Sequence, residues 1–174
     1  MYILVKLAKS IPLYVLRKIY FAHIHPHLLY CLPVYGTTTK SNTHQIITMQ
    51  KRIIRLLSGS RDFYSHTPPL FKKLNILQFD HLLNLSLLKE IHKVINNNTC
   101  EFLITNHHNN QTERGIILRN NTNLQTPFYR LTKARQAVSY VSTMLFNNLP
   151  DVIKIERSLK SYARKIKKIF INSY

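Results

Sequence analysis

The sequence predicts an all-α fold, an irregular bundle of five or six helices interrupted by a long Asn-rich loop at about residues 96–130. Three observations lead to this prediction. Apolar residues recur every three or four positions in several separate segments, which is the periodicity of an amphipathic helix. Pro, Gly, Ser and Asp stand where these segments would begin and end. With 174 residues, 45% of them apolar, the chain is long enough for a domain with a hydrophobic core.

The first predicted helix begins near Pro12, because proline fits a first helical turn, where its missing N–H has no partner to lose. Pro26 is expected to kink or end this helix. Pro33 and Gly36 then close the segment. The apolar stripe of this helix consists of Leu13, Leu16, Tyr20, Ile24 and Leu28.

A second helix is predicted between Ser41, its N-terminal cap, and Gly59, its C-terminal stop. Its apolar stripe consists of Ile46, Ile47, Ile53, Ile54 and Leu57. On the opposite face of this helix we expect the cations Lys51, Arg52 and Arg55.

A short helical turn and a third long helix follow. Pro68 and Pro69 restart the chain before a turn over residues 70–74. Asp80 is expected to cap the third helix, which runs to about Ile95. Its core stripe consists of Leu82, Leu85, Leu88, Ile91 and Ile95.

Residues 96–130 break the helical pattern and are rich in Asn, so they predict a long polar loop with a short strand at 116–118. A loop of this length favours separate units on either side of it. The predicted organisation is a basic, thumb-like helical unit at 1–95, the polar loop, and a C-terminal helical unit at 131–174.

The C-terminal unit contains two predicted helices. One begins near Thr132, ends at residues 147–150, and has an apolar stripe of Ala134, Val138, Val141 and Leu145. The last helix begins near Ser158 and is both basic and amphipathic. Its apolar stripe consists of Leu159, Tyr162, Ile166 and Ile169.

The charge of the chain indicates its class of partner. There are 25 Lys or Arg residues against 7 Asp or Glu, a net charge of +18, which favours RNA or DNA as the partner. Aromatic residues beside cations, such as Tyr129 before Arg130, suit stacking on single-stranded bases, but rings in these places can equally fill a core. The best candidates for phosphate contacts are Lys51, Arg52, Arg55, Lys72 and Lys73, followed by Lys160, Arg164, Lys165, Lys167 and Lys168.

Several classes of function are disfavoured. Three widely spaced glycines exclude a P-loop or a Rossmann phosphate loop. No two of the seven acids lie within four residues of each other, so the chain has no local signature of two-metal phosphoryl transfer. We therefore expect no catalytic residues, no cofactor and no small-molecule substrate in this chain. Two cysteines cannot form a disulfide framework, which favours a reducing, intracellular setting.

Two local patterns invite a metal or membrane interpretation. Four side chains near each other in sequence are of zinc-ligand type, but alternation by two does not place three histidines on one side of a helix, so we expect no metal site. Residues 19–39 lack charged side chains, yet they contain His and Pro, so a buried core helix is predicted there instead of a membrane span. The four side chains are His23, His25, His27 and Cys31.

Four segments, in one order, carry a resemblance to a known family. They are Ser10 to Gly36, which includes Tyr20-Phe21-Ala22-His23-Ile24-His25-Pro26-His27, then Met49-Gln50-Lys51-Arg52-Ile53-Ile54-Arg55, then Ser65-His66-Thr67-Pro68-Pro69-Leu70-Phe71-Lys72-Lys73-Leu74-Asn75-Ile76-Leu77, and finally Leu145-Phe146-Asn147-Asn148-Leu149-Pro150 with Ser158-Leu159-Lys160-Ser161-Tyr162. The third segment is the most specific. The chain resembles the C-terminal region that follows the catalytic domain in reverse transcriptases of non-LTR (jockey-like, LINE-type) retrotransposons.

The resemblance implies the thumb and post-thumb part of an RNA-directed DNA polymerase. In the family the catalytic palm, with its Tyr-x-Asp-Asp motif, lies upstream of this region, so the resemblance implies a truncated reading frame without the active site. The implied partners are a retroelement template–primer of RNA or DNA and the missing upstream catalytic domain. Tyr35 and Phe146 stand where the family usually has Trp, and because both keep a ring we expect the packing to survive.

Two alternatives to nucleic-acid binding stay open at this point. The chain could be a degenerate retroelement remnant without independent activity, whose exposed apolar surfaces would normally pack on the palm. It could also bind an anionic membrane surface through its basic C-terminal helix, although the shallow apolar stripe makes a membrane partner the weaker expectation. Nuclear and cytoplasmic locations both suit a retroelement product.

Overall fold

The computed structural model describes residues 2–8, 10–59, 65–96 and 123–174. Of these described residues 71% are helical and none forms a β-strand, which confirms the all-α prediction. The strand predicted at 116–118 and most of the predicted loop lie outside the described residues. The α-helices are α1 (Tyr2–Leu7), α2 (Leu13–Ile19), α3 (His25–Leu29), α4 (Leu32–Gly36), α5 (Lys40–Leu57), α6 (Pro68–Leu74), α7 (Phe79–Ile95), α8 (Val138–Asn147), α9 (Asp151–Lys154) and α10 (Leu159–Asn172).

A π-helical turn at Tyr20–Ile24 joins α2 to α3 and accommodates Pro26. Proline has no N–H to bond the carbonyl of the residue four positions earlier, and its ring crowds that carbonyl. The wider π turn relieves this conflict, and the N–H of His25 bonds the carbonyl of Tyr20 instead. Pro26 therefore makes the helix locally irregular but does not end it, and the helix continues to Leu29.

Helix α5 differs from the prediction only at its N-terminal end. Its N-terminal cap is Thr39, two residues before the predicted Ser41, and Thr39 makes no side-chain cap hydrogen bond. At the other end the helix stops before Gly59, as predicted. Gly59 has a φ of +73°, a left-handed conformation that costs a glycine little.

The chain divides into two compact units, the first comprising Met1–Leu82 with Ile169–Tyr174 and the second Leu83–Lys168. These bounds differ from the division at 95 and 130 expected from the sequence, which stays a prediction about the folding units. In the first unit one hydrophobic cluster of buried residues consists of Leu4, Leu16, Tyr20, Ile53, Ile54, Leu57, Phe71 and Ile76. Leu13, Ile46 and Ile47 do not belong to this buried set, and Leu13 is 46% exposed.

Gln50 is the polar centre of the first unit and is 1% exposed. Its amide nitrogen donates to the hydroxyl of Tyr20 at 3.2 Å and to the carbonyl of Leu77 at 2.9 Å. Its amide oxygen accepts the backbone N–H of Phe79 at 2.8 Å, a donor that the start of α7 leaves without an intrahelical partner. One side chain thus ties α5 to the π turn and to the beginning of α7.

In the second unit α7 buries Leu85, Leu87, Leu88 and Ile91, and α10 buries Tyr162 and Ile166. The ring of His92 lies 4.4 Å from that of Tyr162, and its Nε2 is 2.7 Å from the carbonyl oxygen of Glu156. Burial raises the pKa of the Tyr162 hydroxyl. Stacking and hydrogen bonding at His92 therefore connect α7, α10 and the residues between α9 and α10.

Three sequence predictions about this region are wrong in detail. Asp80 lies in the first turn of α7, which begins at Phe79, so it is not the cap. Ile95 and Ile169, predicted for the core, are both 41% exposed. In α8 the buried residues are Ser142, Thr143 and Phe146, not the predicted apolar stripe.

The burial of hydroxyls in α8 has a local explanation. Ser142 Oγ donates to the carbonyl of Val138, and Thr143 Oγ1 donates to the carbonyl of Ser139 at 2.8 Å. A hydroxyl that bonds a carbonyl in the preceding turn can be buried without a penalty for an unpaired donor. The expected ring packing holds at Phe146, which is 3% exposed, while Tyr35 is half-buried and donates its hydroxyl to the carbonyl of Leu28.

Candidate nucleic-acid interface

Lys51 and Arg55 stand one helical turn apart on α5 and are both half-buried. The neighbouring positions Ile53 and Ile54 are buried in the core of the first unit, which fixes the rotation of the helix. Residues four apart lie on one face of a helix, so the two cations point to the same side. Arg52 is exposed next to them.

A cavity of about 350 Å³ opens beside these two cations. The Nε of Arg55 donates to the backbone carbonyl of Ser65 at 3.2 Å, which holds the guanidinium against the chain that enters α6. The remaining guanidinium nitrogens carry further N–H donors in a planar fork suited to phosphate. The cavity is lined by Lys51, Arg55, Ser65, His66, Thr67, Pro68 and Gln78.

The chain before α6 shapes the other wall of this cavity. Thr67 is 5% exposed, and its carbonyl accepts the backbone N–H groups of Leu70 and Phe71 as α6 begins. Pro68 and Pro69 occupy the first positions of α6, where no N–H is needed. The wall thus offers hydroxyl and imidazole groups, and the described lining contains no carboxylate.

Lys72 and Lys73 are exposed in the last turn of α6 and do not line the cavity. Asn75 ends this helix in the left-handed conformation with a φ of 54°. Within the described ranges, no carboxylate contacts Arg52, Lys72 or Lys73. The structure therefore brings Lys51 and Arg55 together at the cavity and leaves the other three candidate cations of this unit on the nearby helix surfaces.

The C-terminal candidates are spread along α10. Lys160, Arg164 and Lys168 are exposed. Lys165 is paired with the carboxylate of Glu156. The hydrogen bond from Lys165 is the largest influence on Glu156 and holds the pKa of its carboxyl below the usual value. Lys167 is half-buried and has other interactions. Part of the charge of this group is consequently neutralised within the chain.

The residues considered as zinc ligands do not converge. His23, His27 and Cys31 are exposed, and His25 is half-buried against the rings of Tyr20 and Phe21. Among the residues that the structure describes, no group of three His, Cys, Asp or Glu side chains could hold a metal ion. In the same part of the chain, no helix is both long and apolar enough to cross a membrane.

Sequence reasoning missed two features of the described structure. It did not single out Gln50, although a glutamine between apolar helix positions could have indicated a buried amide. It also missed a cluster of rings at the C-terminus, where the Tyr174 hydroxyl accepts the N–H of Gln78 at 2.7 Å and lies 2.9 Å from His81 Nδ1. Burial raises the pKa of Tyr174 to about 12. No local pattern links residues this far apart in sequence.

Comparison with known proteins adds no relative: no protein-family model, no curated protein and no solved structure is significantly similar to this chain.

Proposed function

We propose that this chain is a non-catalytic nucleic-acid-binding segment that grips RNA or a template–primer duplex through backbone phosphates. The observation that carries the proposal is the cavity beside α5, where Lys51 and Arg55 face an opening with no carboxylate in its described lining. Lysine and arginine at a concave surface attract phosphate, and arginine can bind it with two N–H groups at once. Contacts of this kind position a nucleic acid without reading its sequence.

The surrounding charge supports the same proposal. In the first unit, eleven Lys or Arg residues stand against two acids. Arg52 is exposed on α5 next to Lys51, and Lys72 and Lys73 are exposed in the last turn of α6. These cations would add contacts to further phosphates of the same nucleic acid. Each cation that neutralises a phosphate releases counterions, so binding should weaken steeply with salt.

The wider role of the chain is also a proposal. The motifs that resemble non-LTR retrotransposon reverse transcriptases support a role as the C-terminal part of such a polymerase, with catalysis supplied by an upstream palm. The scattered acids agree with a chain that does not itself catalyse nucleotide transfer. Genomic sequence upstream of Met1 that encodes a Tyr-x-Asp-Asp palm would support this role, and intact upstream sequence without one would contradict it.

Two alternatives receive less support. A membrane-surface binder would need the apolar face of α10, but Tyr162 and Ile166 on that face are fully buried. A degenerate remnant would lack a closed core, whereas the first unit buries Tyr20, Ile54 and Phe71 completely around the hydrogen-bonded Gln50. A cooperative thermal melt of the purified chain would count further against the remnant.

The test is a salt titration of binding to a mixed-sequence duplex, followed by fluorescence anisotropy. Replacing Lys51, Arg52 and Arg55 together by Gln should reduce the slope of log affinity on log salt by about 2 to 3, because each phosphate contact contributes roughly 0.9. A control variant with Lys18, Lys89 and Arg157 replaced by Gln, none of which lines the cavity, has the same net charge and should keep most of the wild-type slope. Equal slopes for the two variants, with both folded by circular dichroism, would assign the binding to overall charge and overturn the proposed face.

A further inference from the structure

A second cavity, of about 250 Å³, belongs to the second unit and has aromatic walls. Tyr129 and Tyr140 line it, and their ring centroids lie 6.1 Å apart with the ring planes inclined by 57°. It is lined by Thr126, Pro127, Phe128, Tyr129, Arg135 and Tyr140. Four of these six lining residues therefore carry an aromatic ring or a guanidinium group.

The segment that carries this cavity is held at both ends. Asn147, the last residue of α8, accepts the N–H of Leu124 with its Oδ1 and donates its Nδ2 to the carbonyl of Leu124, both at 2.9 Å. At the other end the Nε of Arg135 donates to the carbonyl of Tyr129 at 3.2 Å, and the Tyr129 hydroxyl lies 3.3 Å from Ser139 Oγ. The four residues between Leu124 and Tyr129 are thus positioned before any ligand arrives.

Phe128 lies within this anchored segment and is 89% exposed. A phenylalanine ring gains free energy when it leaves water, so a ring displayed on a fixed segment beside a cavity is a candidate contact for a flat ligand. Leu131, three residues further on, is 70% exposed but does not line the cavity.

The charged residues that lie near the cavity in sequence are all cationic. Arg130, Lys133 and Arg135 are all exposed, and no acid occurs between Glu113 and Asp151. A purely apolar ligand would leave these cations unused. A ligand with both flat rings and negative charge would match the rings and the cations together.

We propose that this cavity stacks an unpaired base of single-stranded RNA or DNA on Phe128, with the neighbouring cations against the flanking phosphates. The inference rests on the proposed nucleic-acid binding and adds to it a preference for single strands at this site. Bases within a duplex are already stacked on each other and present their edges, whereas a single strand can turn a base face onto a protein ring.

A tryptophan at the site gives a direct readout, because the natural chain contains none. In Phe128→Trp the new indole should be quenched when a short thymidine oligomer binds, since a stacked base quenches indole fluorescence. An oligomer with the same backbone but abasic residues keeps the phosphates and should leave the fluorescence unchanged. Anisotropy of labelled oligomers would report binding independently. Binding of the thymidine oligomer without quenching would overturn the stacking site.

Affinities provide the second readout. The wild-type chain should bind the thymidine oligomer about tenfold more tightly than the abasic one, and Phe128→Ala should abolish that difference while leaving abasic binding unchanged. Leu131→Ala removes another exposed apolar side chain, one that does not line the cavity, and should behave as wild type. If the wild-type chain binds duplex but does not distinguish the two oligomers, the stacking site is overturned and the proposed function stands. If it binds neither duplex nor oligomer, both fall.

Discussion

The two units carry similar charge surpluses but arrange them differently. The first has eleven Lys or Arg residues and two acids, and the second has fourteen and five. In the first unit Lys51 and Arg55 face an open cavity with no acid in its described lining. In the second, Lys93 contacts Glu90, Lys154 contacts Asp151 and Lys165 contacts Glu156. The two units thus have the same net charge, but local neutralisation decides which of their cations are available to a partner.

The buried polar groups differ between the units as well. Gln50 in the first unit makes three hydrogen bonds from an amide that is 1% exposed. In the second unit the buried imidazole of His92 has its shortest contact with the carbonyl of Glu156, lies 3.4 Å from Asn96 Nδ2, and packs on Tyr162. The stability of the first unit thus depends more on one buried polar side chain, that of Gln50. Gln50 directly precedes Lys51 in sequence.

The largest expected effect follows from this dependence. Gln50→Leu should lower the free energy of unfolding by about 3 kcal/mol, because it leaves a buried N–H and a buried carbonyl without partners. Gln45→Leu on the exposed side of α5 is the matched control and should change stability by less than about 0.5 kcal/mol. Urea unfolding would measure both. His92→Leu in the second unit should cost less than Gln50→Leu, and the reverse order would break the comparison.

A smaller effect is expected from single charge removals in the two units. Lys51→Gln should reduce the slope of log affinity on log salt by about 1, as for one phosphate contact. Lys165→Gln should leave the slope nearly unchanged, because Lys165 is already paired with Glu156. Anisotropy titrations on one duplex would compare them directly. Equal losses from both substitutions would mean that the internal ion pair does not withhold Lys165 from nucleic acid.

The smallest effect concerns pH and the first unit. Burial lowers the pKa of His81 below its ordinary value near 6.5, and the carboxylate of Asp80 offsets this only in part. The unfolded chain therefore takes up a proton at this residue at a higher pH than the folded chain does. Its contribution to stability should be complete above pH 6.5 and should decline as the pH falls from 6.5 towards the folded pKa.

His81→Gln removes this titration, so the free energy of unfolding should fall less with acidification in the variant than in the wild type. Urea unfolding above and below pH 6.5 measures the difference. His44→Gln, at an exposed position of α5, is the control for replacing a histidine by glutamine. Identical pH dependence in all three proteins would show that the ring cluster around His81 does not oppose protonation.

The fold class and some helix ends could be predicted because they depend on neighbours in sequence. Gly59 ends α5 and Pro12 precedes α2 for reasons that involve only the adjacent turns. The prediction of buried residues failed where packing against a neighbouring element determines which face of a helix is buried. In α8 the apolar stripe predicted from spacing is not the buried face, and Ser142 and Thr143 are buried instead. Their hydroxyls can be buried because they hydrogen-bond to carbonyls within the helix.

For the candidate sites the sequence indicated the residue types but not which distant residues lie beside them in the fold. Lys51 and Arg55 were recognisable as cations on one helix, but their meeting with residues 65–68 requires the chain to return to α5. Tyr129 beside Arg130 suggested stacking, but the exposed ring is that of Phe128, and its position depends on the contact between Asn147 and Leu124.

By itself, the sequence determined that this protein is helical, strongly cationic and interrupted by a polar segment, since helix periodicity, capping and net charge are properties of short stretches or of composition. The tertiary structure alone decided which cations are neutralised, which amide is buried and which rings stay exposed. These outcomes depend on contacts between residues far apart along the chain, such as Gln78 with Tyr174, and no local pattern encodes the energy of such contacts.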